Sequence, residues 1–154
     1  MRRIVLCAAR RDHSVFLTVY GHAKPFMRAP QRLSRGLVIK LASAGHHASD
    51  FAGEEDVAAL PARLDQIDAW IDDGLLNGQE TNAADFQLAP NIALLLRFDD
   101  LAPHIEHRPA AQLARRFVPH SGEPIRAVLP DAWIASLRAT PSTTPPRGPA
   151  VQET

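Results

Sequence analysis

Two histidines in the second half of the chain are the first residues whose types suggest chemistry. His104 and His107 are three residues apart, with Glu106 between them and Asp100 nearby. Imidazole and carboxylate groups ligate zinc, but a structural zinc site needs four ligands. Prolines on both sides place the pair in a predicted turn, where we expect exposed histidines. The sequence therefore predicts no metal site.

Serine, aspartate and cysteine form no complete catalytic set either. The serines near histidines lack the glycine pattern of a nucleophile elbow. The pairs 72–73 and 99–100 are aspartates at predicted helix ends, where aspartate is common. Cys7 lies within an apolar run, which is typical of a packed and unreactive thiol. We predict no catalytic residue in this chain.

Composition narrows the class of protein. The chain has 154 residues, of which 45% are hydrophobic, enough for one domain with a substantial core. Lys plus Arg and Asp plus Glu number 17 each, so no net field favours nucleic acid as a partner. A single cysteine is typical of a reducing cytosol, and no run approaches the roughly 20 apolar residues that span a bilayer. We expect a cytoplasmic protein that neither crosses membranes nor binds nucleic acid.

Apolar residues recur at helical spacing along the first part of the chain. A helical stretch is predicted over 2–20, with a restart at Asp12 or Ser14. The segment 24–30 holds two prolines and is predicted to be a connecting loop. A further helix is predicted from Leu33 to a glycine end at Gly45.

The clearest stripe follows, and Pro61 interrupts it. Its branched side chains are spaced so that they share one helical face: Val57, Leu60, Leu64, Ile67 and Ile71. Because proline lacks an N–H group and clashes with the preceding turn, the stripe predicts either one bent helix or two short ones.

Two more helices are predicted after residue 100, each starting at a proline. One begins at Pro109 with Leu113 and Phe117 inward, and one begins at Pro130. The inward side chains of the latter are Trp133, Ile134 and Leu137. No alternating pattern predicts a sheet. The expected fold is an all-α helical bundle over 1–139, followed by a disordered tail rich in Pro, Ser and Thr over 140–154.

The stretch from Thr81 to Phe98 is the most informative. Asn82 is followed three residues later by Asp85, so each side chain can accept a hydrogen bond from the other's backbone N–H. The residues from Phe86 onward are apolar nearly all the way round. This pattern predicts a capped helix that neighbours cover on most sides.

The segment 76–86 resembles the C-terminal helical domain of glutathione S-transferases, with its order of leucine, glycine, cap, alanine, aspartate and aromatic residue. The likeness continues through 98–103 and 108–111 and covers roughly residues 50 to 135. Asn82 stands where the family usually has Ser or Thr, and asparagine caps a helix equally well.

The resemblance implies a function as well as a fold. In this family a thioredoxin-like domain binds glutathione, the co-substrate, and supplies the catalytic Ser, Tyr or Cys; this chain is expected to bind no cofactor alone. The first helical segment lines the pocket for the hydrophobic substrate. Its counterparts here are Arg10, Arg11, Phe16 and Tyr20.

Two alternatives remain open. Transferase-like helical domains also serve as non-catalytic interaction modules, so the chain is alternatively a protein–protein interaction module. The chain is also interpretable as a fragment, truncated ahead of its first helix. If this is the helical half of a transferase, the missing thioredoxin-like domain would leave an apolar surface exposed, and we expect such a domain or a second copy of the chain to cover it.

Overall fold

The structure, a computed structural model, describes residues 2–20, 28–120 and 122–139. Within these ranges it contains a short 3-10 turn at Ala102–His104 and eight α-helices. The α-helices are α1 (Arg2–Arg11), α2 (His13–Tyr20), α3 (Arg28–Gly45), α4 (Asp50–Ala58), α5 (Leu60–Asp72), α6 (Ala83–Leu95), α7 (Pro109–Phe117) and α8 (Asp131–Ala139). The only β-type pairing in the described ranges is a bridge between Phe98 and Ile125, so the predicted all-α class is confirmed there. The predicted tail, 140–154, lies outside the described residues.

The first predicted helical stretch divides at Asp12. The carboxylate of Asp12 accepts a hydrogen bond from the Ser14 N–H at 2.7 Å, so it satisfies a donor at the start of α2. Before the break, all residues from 4 to 9 are buried. Helices α2, α3 and α4 all contact α1, which explains why its apolar residues need no exposed face.

Helix α3 begins earlier than the sequence predicts. The loop predicted over 24–30 is wrong for residues 28–30, which form the first turn of α3, whereas 24–27 lie outside the described part of the chain. Pro30 fits this turn because the N–H groups there have no partner within the helix. The predicted end at Gly45 is confirmed.

The stripe interrupted by Pro61 forms two helices, one of the two alternatives. Helix α4 ends at Ala58, and Pro61 is the second residue of α5, where no N–H donor is required. The apolar stripe faces the core on both sides of the break between α4 and α5, because Val57, Leu60, Leu64 and Ile67 are all buried.

Helix α4 approaches its neighbours closely at Gly53. A Cβ atom at this position would lie 2.7 Å from the Cys7 sulfur and 2.8 Å from the Trp133 ring. Only a residue without a side chain allows α4 to pack this closely on α1 and α8. Cys7 itself is buried, which confirms the prediction that it packs in the core.

The start of α6 has the predicted capping geometry. The Asn82 side chain accepts hydrogen bonds from the N–H groups of Ala84 and Asp85, at 2.8 and 3.1 Å. In return the Asp85 carboxylate accepts from the Asn82 N–H at 3.0 Å. Its second oxygen accepts from the Asn77 N–H at 2.8 Å, which fastens the preceding turn to the helix. The capping box is therefore confirmed.

The prediction that neighbours cover α6 on most sides is wrong for its first half. Ala89, Ile92 and Leu95 are fully buried, but the Phe86 side chain is 65% exposed. Its ring meets the Phe117 ring edge-on at a centroid distance of 5.5 Å. Apolar residues around a helix do not reveal how many neighbours pack on it, and α6 packs mainly along α7.

Helices α7 and α8 begin where their prolines predict. Pro109 is the first residue of α7, and α8 follows directly after Pro130. Leu113 and the predicted apolar residues of α8 are buried, while Phe117 is half-buried against the core. None of the helices in the described ranges combines the length and the apolar character needed to cross a bilayer.

Charged side chains join helices that are distant in sequence. Asp56 on α4 is buried and accepts from Arg3 on α1 at 2.6 Å and from Arg63 on α5 at 2.9 Å. A second link joins α5 to α7, because Arg108 donates to Asp68 at 2.7 Å. These contacts hold α1, α4, α5 and α7 in one arrangement around the core.

Candidate functional site

An open cavity of about 670 Å³ lies between the α1–α2 junction and the C-terminal half of α3. This volume is typical of small-molecule sites, which range over about 300–1,000 Å³. The residues that define its walls come from α1, α2, α3 and the turn after α3: Arg10, His13, Gly36, Lys40, Ser43 and His47.

One face of α3 supplies the longest wall of the cavity. Gly36, Lys40 and Ser43 are spaced by four and three residues, and this spacing brings side chains to the same side of a helix. His47 follows the end of α3 with a left-handed φ of 50°, which ends the helix and begins the turn toward α4.

Gly36 leaves room in the wall opposite α2. Among the described residues, a Cβ atom at this position would meet only the Cε1 atom of His13, at the ordinary contact distance of 3.9 Å. Unlike Gly53, this glycine is therefore not required for packing against that part of the chain. Its missing side chain keeps the cavity open beside the His13 ring.

The permanent charges in the lining are positive. Arg10 and Lys40 come from different helices, and the lining residues that the structure describes include no aspartate or glutamate. The Arg10 Nη1 donates to the Ala48 carbonyl at 2.7 Å and lies 3.7 Å from the Asp50 carboxylate. Both contacts use Nη1, and a guanidinium has further N–H groups on its other two nitrogens.

Ser43 is an unusual member of the lining. It is 8% exposed, and its Oγ has no hydrogen-bond partner among the described residues. A buried hydroxyl without a partner costs about 1–3 kcal/mol, so such groups in folded proteins call for an explanation. Ser43 is nevertheless among the residues that line the cavity.

Of the four residues that the resemblance selected, the structure describes the side chains of Arg10, Arg11 and Phe16. Arg10 lines the cavity. Arg11 instead forms an ion pair with Asp50 at 2.9 Å and lies over the Trp133 ring, 5.2 Å from its centroid. Phe16 is half-buried against the core, and the side chain of Tyr20 lies outside the described part of the structure.

The sequence-based selection missed the residues of α3. Lys40, Ser43 and His47 join Arg10 and His13 in the cavity walls. The helical spacing of Lys40 and Ser43 was a usable signal, because it places these two on one face of α3, whereas His47 follows the end of the helix. Nothing local indicates that this face lies against α1 and α2, since that contact depends on how the first three helices pack.

The other chemical candidates remain apart. The described residues contain no group of three or more His, Cys, Asp or Glu side chains arranged to hold a metal ion. The His107 side chain is exposed and faces Glu106 at 3.3 Å. Burial raises the pKa of the Cys7 thiol, whose hydrogen is donated to the Ser49 carbonyl at 3.3 Å, so little of the nucleophilic thiolate forms at neutral pH.

A second cavity lies between α6 and α7. Its volume is about 190 Å³, and Leu96, Ala114 and Val118 are among its walls. This is below the about 300 Å³ of common ligand sites. We therefore take the cavity beside α3 as the candidate site.

Comparisons of the chain with protein-family models, with curated proteins and with solved structures found no match. The function must be argued from the fold and the cavity.

Proposed function

We propose that this chain is the helical domain of a glutathione S-transferase-like protein, and that the cavity beside α3 is the chain's contribution to the site for the electrophilic substrate. The observation that carries the proposal is the start of α6. Asp85 caps this helix and also binds the Asn77 N–H at 2.8 Å. The family resemblance rests on this segment.

The cavity adds support from a different part of the chain. The resemblance selects the first helical segment as the substrate side, and Arg10 at the end of α1 lines the cavity. In glutathione conjugation, the thiolate sulfur forms a bond to an electrophilic carbon. Either the leaving group departs with the displaced electron pair, or a proton is taken up after addition to a double bond. This chain's part would be to bind and orient the electrophile.

The nucleophile belongs to a different domain in this scheme. Activating glutathione requires a donor that lowers the pKa of its thiol, and the family places that donor in the thioredoxin-like domain. We therefore expect the chain alone to be retained poorly on immobilised glutathione and to conjugate no electrophile. Retention together with turnover by the chain alone would contradict this assignment of roles.

The coding sequence upstream of the chain offers the first test. A continuous frame encoding a thioredoxin-like fold supports the proposal, and a frame encoding an unrelated domain contradicts it. The protein from that full frame is then assayed for conjugation. With Arg10→Ala, the KM for the electrophile should rise about tenfold because a charge-assisted hydrogen bond is lost, whereas the KM for glutathione stays unchanged. An unchanged electrophile KM would argue against the cavity as the substrate side.

Exposed apolar residues on α3 favour the second candidate function, an interaction module. Leu37 and Leu41 are 61% and 63% exposed and lie one helical turn apart, with Val38 beside them at 43%. A continuous apolar strip of this kind often marks a protein contact. The test is molecular mass as a function of concentration, comparing the natural chain with Leu41→Lys. Self-association that the substitution removes would support this candidate, and a monomer throughout would contradict self-association through this strip.

A further inference from the structure

We infer that the cavity beside α3 binds a small organic anion, a carboxylate or a phosphate ester, by placing its charged group between Arg10 and Lys40. The inference rests on the proposed function in one respect: it names the substrate class of the same cavity, an electrophile that carries an acidic group. The charge, the donors and the shape of the cavity each contribute to it.

The charge balance around the cavity is positive. Arg10 and Lys40 are in its walls, and Arg11 is next in sequence to Arg10. Two carboxylates lie close: Asp50 pairs with both arginines, at 3.7 and 2.9 Å, and Asp12 caps α2 through the Ser14 N–H. Among the described residues, three cations against two anions leave one net positive charge, and a concave surface concentrates its field.

Hydrogen-bond donors remain available for an anion. The contacts of Arg10 use Nη1 only, and its Nη2 and Nε groups have no partner in the described ranges. A guanidinium can bind a carboxylate or phosphate through two parallel N–H groups. Ser43 also lines the cavity, and its buried hydroxyl has no hydrogen-bond partner among the described residues.

The shape favours an organic anion over a bare ion. Ile39, Ala44 and Ala48 contribute apolar surface to the walls, and Gly36 leaves space beside His13. A volume of about 670 Å³ far exceeds what an inorganic ion fills. An apolar body can occupy the remaining space while its anionic group meets the cations.

Calorimetric titration without glutathione tests the inference, with benzoate, phenyl phosphate and neutral benzyl alcohol as probes at low salt. At least one anion should bind, and benzyl alcohol should not. Binding of benzoate alone identifies a carboxylate ligand, and binding of phenyl phosphate alone identifies a phosphate ester. Equal binding of benzyl alcohol, or no anion binding at millimolar concentrations, overturns the inference.

A charge reversal with a matched control locates the site. Lys40→Glu should weaken anion binding about tenfold or more. Arg126→Glu changes the net charge equally at an exposed position that is not among the cavity residues, and it should have little effect. Equal losses in the two variants would mean that only the overall charge matters, which overturns the assignment to this cavity.

Ser43→Ala gives an independent readout. Removing an unpaired buried hydroxyl should raise the melting temperature of the ligand-free protein, while anion affinity falls severalfold. A raised melting temperature with unchanged affinity would remove Ser43 from the site. Because glutathione is absent from these experiments, failure of conjugation in the full-frame protein would refute the family proposal and leave the anion site standing.

Discussion

At the scale of single residues, Asp85 shows how a buried carboxylate can be structural. It is fully buried, and its two oxygens accept from the N–H groups of Asn77 and Asn82 at 2.8 and 3.0 Å. A carboxylate that holds two backbone donors is committed to the fold. It is not available to substrate.

Replacing Asp85 by alanine should therefore destabilise the protein strongly. Two backbone N–H groups would lose their acceptor, and we expect Asp85→Ala to lower the free energy of unfolding by about 3 kcal/mol. Asp131→Ala is the control, because Asp131 is an exposed acid in the first turn of α8 and should cost no more than about 1 kcal/mol. Urea denaturation measures both, and similar losses would contradict the special role of Asp85.

Cys7 provides a second prediction at this scale. Burial raises the pKa of its thiol, and the reactive species is the thiolate. The native protein should therefore react with an aromatic disulfide reagent much more slowly than the protein in urea. The chain has one cysteine, so the released chromophore reports on Cys7 alone. Equal rates in the two states would mean that the thiol is accessible in the fold.

At the scale of helices, the contact of α4 with α1 and α8 depends on Gly53. Gly53→Ala should lower the free energy of unfolding by about 2 kcal/mol, because the new methyl group would overlap the Cys7 sulfur and the Trp133 ring. Gly45→Ala is the matched control, since a Cβ atom there meets none of the described residues within 4 Å. It should change stability by no more than about 1 kcal/mol. Thermal unfolding of the two variants measures the difference, and equal melting temperatures for Gly53→Ala and Gly45→Ala would contradict the close packing at Gly53.

At the scale of the whole molecule, the ion cluster around Asp56 joins three helices. Arg3 and Arg63 bind the same carboxylate oxygen, at 2.6 and 2.9 Å. The hydrogen bond from Arg3 lowers the pKa of Asp56 well below its ordinary value, even though burial alone would raise it. Folding therefore favours the ionised carboxylate.

The lowered pKa of Asp56 determines how stability changes with pH. The folded pKa lies below the unfolded value of about 3.9, so the stabilisation is complete above that pH and is lost as the pH falls toward the folded pKa. We expect urea midpoints of the natural protein to fall below about pH 4, and to fall less in Asp56→Asn. Comparing the two chains removes the contribution of the other carboxylates. Parallel pH curves would contradict the role of Asp56.

Local interactions explain what could be predicted from the sequence. The capping of α6 by Asn82 and Asp85 involves residues three positions apart, so the sequence determines it almost alone. The starts of α7 and α5 follow from prolines in the first turn, and the break at Asp12 follows from a carboxylate beside the N–H groups of a new helix. These signals act within a single turn of the helix.

Only the tertiary structure decided which of these helices' faces meet. Phe86 is mainly exposed despite its apolar helix, Arg11 binds Asp50 and Trp133, and Lys40 shares a cavity with Arg10. Each outcome depends on residues roughly 30 to 120 positions apart in the chain, brought together when the core formed. The sequence by itself determined where several helices begin, because capping residues and prolines act locally; the packing of α1, α2 and α3 decided which side chains form the candidate site, because no local interaction specifies that contact.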